Sequence, residues 1–161
     1  VNLDESGPPA TLLSTLRPWA TAAFTFDART DRFRTFRFGQ PQLSDLSTLE
    51  AGRAFWLFVP PERLEGDLTF WQQPALIRNR SATLRPGFNL VGWTGTQGVR
   101  IADAVGTLPI RRAWLWDPLR QRFDVWDLAL PLSLQTNFAL EYGAGLWIDV
   151  GGTSVLTWEQ P

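Results

Sequence analysis

No cysteine, methionine or histidine occurs among the 161 residues, and all 15 basic residues are arginine, so lysine is missing too. Each absence closes a class of chemistry. Without cysteine there is no disulfide, no thiolate nucleophile and no Cys-type zinc site. Without histidine the commonest general base and transition-metal ligand is gone. Without lysine, Schiff-base and P-loop phosphate chemistry are excluded. Carboxylates, Ser/Thr hydroxyls and hard cations are what remains for a catalyst. No apolar run approaches the about 18 residues of a membrane-spanning helix. Charged residues make up only 19%, below the ~25% usual in soluble domains. A net charge of -1 lacks the basic surface that phosphate binding needs, which argues against nucleic acid as a partner. The absence of methionine means that Val1 is not a translation start. The expectation is a processed or excised piece of a larger polypeptide.

Against these zeros stand 9 Trp and 11 Phe, with a single Tyr. A hydrophobic fraction of 44% is enough for a real core. The aromatics recur in a pattern. Residues 23–36 align without a gap on residues 113–126, at an offset of 90. Ala23, Asp27, Arg32 and Phe33 are identical to Ala113, Asp117, Arg122 and Phe123, and Phe24, Phe26 and Phe36 face Trp114, Trp116 and Trp126. Pro41 matches Pro131, and residues 49–59 then match 140–150, with Trp56 opposite Trp147. The stretch Leu68-Thr69-Phe70-Trp71 has its counterpart in Leu156-Thr157-Trp158. Internal similarity of this kind is the signature of a repeated structural unit. The units are placed at 1–74 and 75–161. The second opens with Leu84-Arg85-Pro86-Gly87-Phe88-Asn89-Leu90-Val91-Gly92-Trp93, whereas Val1-Asn2-Leu3 resembles only the tail of that strand; the expectation is that the first unit's front strand is truncated.

Alternation with period two predicts β-strands throughout. Residues 113–117 and 122–127 read as a hairpin closed by a four-residue loop, with 117 opposite 122. Trp116, Phe123, Trp114 and Val125 then share one face, the expected core face. Leu115, Asp124 and Trp126 lie with Ala113 on the other, expected to be wetter. The first unit repeats this, with Phe24, Phe26, Phe33 and Thr35 inward and Ala23, Thr25, Arg34 and Phe36 outward. Phe55, Leu57 and Val59 match Leu146, Ile148 and Val150 as a further apolar row. Segments 43–51 and 99–106 are expected to form one or two helical turns each. The predicted fold is mainly β: two tandem homologous units forming an antiparallel sandwich or pseudo-twofold paired sheets with short helices, meeting through their aromatic faces.

Three constellations are candidate sites. Flat aromatic faces suit the apolar C–H face of a sugar, with neighbouring polar side chains for its hydroxyls. Trp147 with Asp149, and Trp126 with Asp124, share strand faces at i, i+2. Trp56, Phe36 and Arg34 are placed with them from the first unit. The structural alternative is that most of these rings fill the core, since Trp is highly buried on average. The arginines Arg29, Arg32, Arg34 and Arg37 interleave with phenylalanines, and the plainer account is a solvated hairpin with cross-strand ion pairs. The functional one is an anionic polysaccharide or a partner protein. Asp27 with Asp31, or Glu62, Glu65 and Asp67, offer paired carboxylates for calcium or a glycosidase. Asp27 and Asp117 open their hairpin loops, however, where Asp caps the turn. No metal site or cofactor motif is recognised, and Asn79-Arg80-Ser81 is a lone glycosylation sequon.

The Gly87–Trp93 stretch, the Trp116-Asp117 hairpin and Gly145-Leu146-Trp147-Ile148 together resemble Trp-rich tandem-repeat modules of large secreted or cell-surface bacterial proteins. The resemblance covers most of both units and implies a module of a secreted or surface protein, without assigning it an activity. A kelch reading fails, because no glycine pair precedes the hairpin and kelch units run about 50 residues. The function expected from the sequence is non-catalytic binding of a polysaccharide or glycan by exposed aromatics. The alternative is a structural or adhesion module that assembles with another surface protein.

Overall fold

The computed structural model describes residues 6–63 and 80–161. The unit boundary at 74/75, the Val1-Asn2-Leu3 stretch, Glu65, Asp67, Trp71 and Asn79 all lie outside the described residues.

The fold is mainly β, with antiparallel sheets and short helices. A short helix α1 (Pro9–Leu12) and a 3-10 turn at Ser14–Leu16 come first. Pro9 sits in the first helical turn, where its missing N–H costs nothing. Strands β1 (Ala22–Asp27), β2 (Arg32–Arg37) and β3 (Trp56–Phe58) form a first sheet in the order β2-β1-β3. Then follow β4 (Ser81–Leu84), β5 (Gly87–Gly92), β6 (Val99–Arg100), helix α2 (Ile101–Val105), β7 (Ile110–Asp117), β8 (Arg122–Asp127), β9 (Ala139–Leu140), β10 (Gly145–Val150) and β11 (Leu156–Glu159). The second sheet runs β5-β10-β7-β8, and β11-β4 and β6-β9 form two-stranded ribbons.

Both hairpins close with the expected register, Asp27 opposite Arg32 and Asp117 opposite Arg122. The aspartates hold the turns. Asp27 accepts hydrogen bonds from the Arg29 N–H and the Thr30 hydroxyl, each at 3.0 Å. Asp117 accepts from the N–H groups of Leu119 and Arg120, at 2.9 and 3.0 Å. The last loop residue is left-handed in both, Asp31 at φ 54 and Gln121 at φ 51. Asp adopts this backbone readily. Gln121 is held there by its side-chain amide, which donates to the Pro118 carbonyl at 2.6 Å.

Two separate groups of buried side chains form the core. One draws on Leu13, Leu16, Ala23, Phe36, Leu49 and Phe55, so α1 and the turn after it cover one face of the first sheet. The other gathers Trp93, Val105, Ala113, Trp126, Ile148 and Trp158, with α2 over the second sheet. The buried indoles are satisfied, Trp93 donating to the Thr96 carbonyl at 3.2 Å and Trp158 to that of Ala104 at 2.8 Å. The chain end is tied in by Gln160, which is buried. Its amide oxygen accepts from both N–H and hydroxyl of Thr94 at 2.6 Å, and its amide nitrogen donates to Gly92 at 3.0 Å.

Two expectations are corrected. The hairpin faces are inverted: Ala113, Ala23, Trp126 and Phe36 are buried, whereas Phe33 and Phe123 are exposed. The small Ala23 and Ala113 give the sheet a flat floor on which the short helices pack, and the ring opposite each alanine, Phe36 or Trp126, closes the core. The polar residues of that face, Thr25, Arg34 and Asp124, sit nearer the hairpin tips and are half-buried. The second correction concerns 43–51, which is not helical. Pro41–Leu43 is a 3-10 turn, and beyond it Ser44 and Asp45 accept hydrogen bonds from the N–H groups of Arg37 and Thr35 on β2. Short polar side chains that bond a neighbouring backbone compete with helix formation. The other segment, 99–106, does contain the helix α2.

Candidate functional site

The hairpin face opposite the core carries the rings. Strand alternation puts Phe26 and Phe33 on it in the first sheet, and Trp114, Trp116 and Phe123 in the second. The two sheets meet through these rings. Trp147 on β10 lies with its centroid 5.0 Å from Phe26 and 5.7 Å from Phe33. Trp56 on β3 lies 6.1 Å from Trp116 and 6.0 Å from Phe123. All four pairs are edge-to-face, the geometry favoured by the ring quadrupole. Trp56 and Trp147 are aligned in the sequence, as are the two hairpins, so each half sets a tryptophan against the hairpin rings of the other.

One side of this seam opens into a trough of about 400 Å³, lined by Phe26, Phe88, Trp114, Phe123, Trp147 and Asp31. Its wall is built by register. Trp147 stands opposite Trp114 across β10 and β7, and Phe88 on β5 flanks them. Phe88 is 5.8 Å from Trp114 and 6.3 Å from Trp147. Phe88 and Phe123 are 48% and 40% exposed, so part of each ring is available at the surface. Asp31, the left-handed residue of the first hairpin loop, supplies the one carboxylate among the described lining residues. The trough is shallow and open to solvent, and its described lining is mainly apolar with one carboxylate.

The seven candidate residues do not come together. Trp147 is in the trough and Trp56 in the seam. Trp126 and Phe36 are not exposed platforms: they are 5% and 7% exposed and lie in the core. Asp149 is buried as well, and Arg111 donates to it at 2.5 Å, so it does not serve the Trp147 ring as a free acceptor. Asp124 is held by Arg120 at 2.9 Å. Arg34 lies 3.7 Å from Asp27 and 3.6 Å from Asp45, an ion-paired hairpin residue. Phe26, Phe88, Trp114 and Phe123 are not among the candidates read from the sequence, and Asp31 is one only as a paired carboxylate with Asp27. Strand alternation does single out Phe26, Trp114 and Phe123, but as a core face; nothing in the spacing brings Phe88 to them.

The turn carboxylates are structural in their electrostatics. For Asp27, partial burial disfavours the charge. Hydrogen bonds from Arg29 and Thr30 and the charges of Arg29 and Arg34 outweigh this and hold its pKa below 3.8. Asp117 is held below 3.8 by the N–H and guanidinium of Arg120 and the N–H of Leu119. Among the described residues, no three Asp or Glu side chains gather as a metal site, and no helix is long and apolar enough to cross a membrane.

No family model, curated protein or solved structure matches this chain.

Proposed function

We propose that the protein is a non-catalytic binding module of a secreted bacterial protein, and that it holds a glycan on the aromatic trough. The observation that carries this reading is the trough itself: five partly accessible rings, two of them tryptophans, converge with a single carboxylate. Ring faces match the C–H face of a pyranose, and Asp31 accepts hydrogen bonds from its hydroxyls. Catalysis of glycosidic hydrolysis is not part of the proposal. That reaction uses two carboxyl groups roughly 5–10 Å apart across the bond, and the trough lining contains one. The chain also lacks every histidine, cysteine and lysine. Titrating the protein with a panel of neutral polysaccharides, with tryptophan fluorescence as the readout, tests the reading. A saturable response lost in Phe88→Ala supports it, and silence across the panel overturns it.

A second reading has its own observation. Leu128, Leu130, Leu132 and Leu134 follow one another on the loop after β8, and all are exposed. Four exposed leucines on one short loop favour contact with another protein, in line with a structural or adhesion module. Light scattering decides: self-association removed by Leu132→Asp favours assembly, and a monomer with or without that change counts against it.

A further inference from the structure

At the far end of the first sheet lies a second cavity, of about 690 Å³, with a different character. Arg17, Arg37 and Arg63 line it, over Ala22, Phe24 and Phe58. Among the described residues its lining contains no carboxylate. Among the described residues none of the three arginines forms an ion pair. On the hairpin that carries Arg37, Arg29 and Arg34 by contrast pair with Asp27 and Asp45.

The second half of the chain shows what fills this place elsewhere. Register puts Arg37, Ala22 and Phe58 in one row across β2, β1 and β3. The aligned row across β8, β7 and β10 is Asp127, Arg112 and Asp149. There the central Arg112 donates to Asp127 at 2.7 Å, and Asp149 is held by Arg111. Positive and negative charges are therefore matched within the protein. In the first half the central arginine is replaced by alanine, whose short side chain leaves room. One aspartate position has become arginine, and the other has become Phe58, an exposed ring. The row has lost its anions and gained a cavity.

We infer that this cavity binds an acidic saccharide, its carboxylate taking the place of the missing aspartates. Arg37, Arg17 and Arg63 pair with the carboxylate, since guanidinium and carboxylate match in charge and in hydrogen-bonding geometry. The ring of Phe58 and that of Phe24 receive the C–H face of the sugar, and Thr21 and Gln40, also in the lining, bond its hydroxyls. The site is separate from the trough in its residues and does not depend on the trough being occupied.

The test is a titration of the full chain, labelled for NMR of its arginine side chains, with tetragalacturonate. Its methyl ester has the same skeleton without the charge, and sodium sulfate supplies an oxyanion without a sugar. The expected result is a saturable shift of arginine Nε–Hε signals with the acid, weakened by added salt as for any partly exposed ion pair. The ester should bind at least about tenfold more weakly. Arg37→Asp puts at this register position the residue type of the second half. It should keep the amide spectrum of the folded protein and lose at least about tenfold in affinity. Arg17→Gln, outside the sheet, should weaken binding in the same direction, whereas Arg122→Gln, exposed at the second hairpin and absent from both cavities, should leave it unchanged. The proposal is overturned if the ester binds as well as the acid, if Arg37→Asp and Arg17→Gln bind as before, or if sulfate binds and tetragalacturonate does not. Silence toward neutral glycans at the trough, with acid binding here intact, would remove the trough reading and leave this one standing.

Discussion

Truncating one ring on each face of the second hairpin separates the observed core from the one the alternation suggested. Trp126 is 5% exposed, pairs with Ala113 across the hairpin and shares its core with Val105, Phe138 and Ile148. Trp126→Ala removes a large buried ring and leaves a cavity, a loss of about 3–5 kcal/mol. Phe123, two strand positions short of the next outward residue, is 40% exposed and touches Trp116 and Trp56 edge-on. Phe123→Ala forfeits part of a ring's burial and its aromatic contacts, about 1–2 kcal/mol. Whole-domain stability is of order 5–15 kcal/mol, so the first change is a large fraction of the total and the second is not. With a urea slope of about 2 kcal/mol per M, the midpoint falls by about 2 M for Trp126→Ala and by less than about 1 M for Phe123→Ala. Urea unfolding followed by far-UV circular dichroism reads both. If Trp126→Ala does not accumulate folded, Ile148→Val, at a fully buried site, should still cost about 0.5–1.5 kcal/mol. A loss for Phe123→Ala equal to or larger than that for Trp126→Ala would refute the assignment of faces.

Three further outcomes are expected. Gln160→Leu leaves the buried Thr94 N–H and the Gly92 carbonyl without their partner, and about 2–5 kcal/mol of stability should be lost in urea unfolding. Gly95→Ala drives a Cβ into the Pro161 carbonyl oxygen and the Trp93 ring; that contact must open, and faster amide exchange at Thr96, which donates to the same oxygen, reports it. The pH dependence follows from Asp27 and Asp117, whose folded pKa values lie below 3.8. A lowered folded value means that the stabilisation is complete above the unfolded pKa and is lost as pH falls through the folded one. Unfolding midpoints should therefore drop below about pH 4 in the wild type, and the drop should shrink in Asp117→Asn.

Much of the architecture was legible because it is local. The Asp-x-x-x loop with its partner arginine states both register and turn chemistry in six residues, and both hairpins form as read. The row Leu146, Ile148, Val150 is buried, as its uninterrupted apolar character implied. The face assignment failed for a tertiary reason. Both hairpin faces carry aromatics, so period two fixes which residues go together but not which set meets the helices. Ala23 and Ala113 decided it, and a small residue contributes little to a count of apolar character although it is what allows close packing. The site suffered from the same ambiguity, since Trp126 and Phe36 went to the core with their face. Asp124, Asp149 and Arg34 were claimed by Arg120, Arg111, Asp27 and Asp45. Those partners are near in space through strand pairing or loop return, which spacing along the chain does not state. The cavity at Arg37 was half visible: the arginine cluster was evident, but not the division between its paired and unpaired members.

On the proposed reading, the half-exposed rings around Trp147 are a ligand platform and the buried ones are packing. Isothermal titration with soluble neutral polysaccharides, comparing wild type with Phe88→Ala, tests it most directly, because Phe88 stands at the rim and is 48% exposed. Saturable binding to at least one glycan and a loss of about tenfold or more in Phe88→Ala are expected, with a urea midpoint lowered by less than about 1 M, as for Phe123→Ala. Binding that survives the change, or no binding to any glycan, would contradict it.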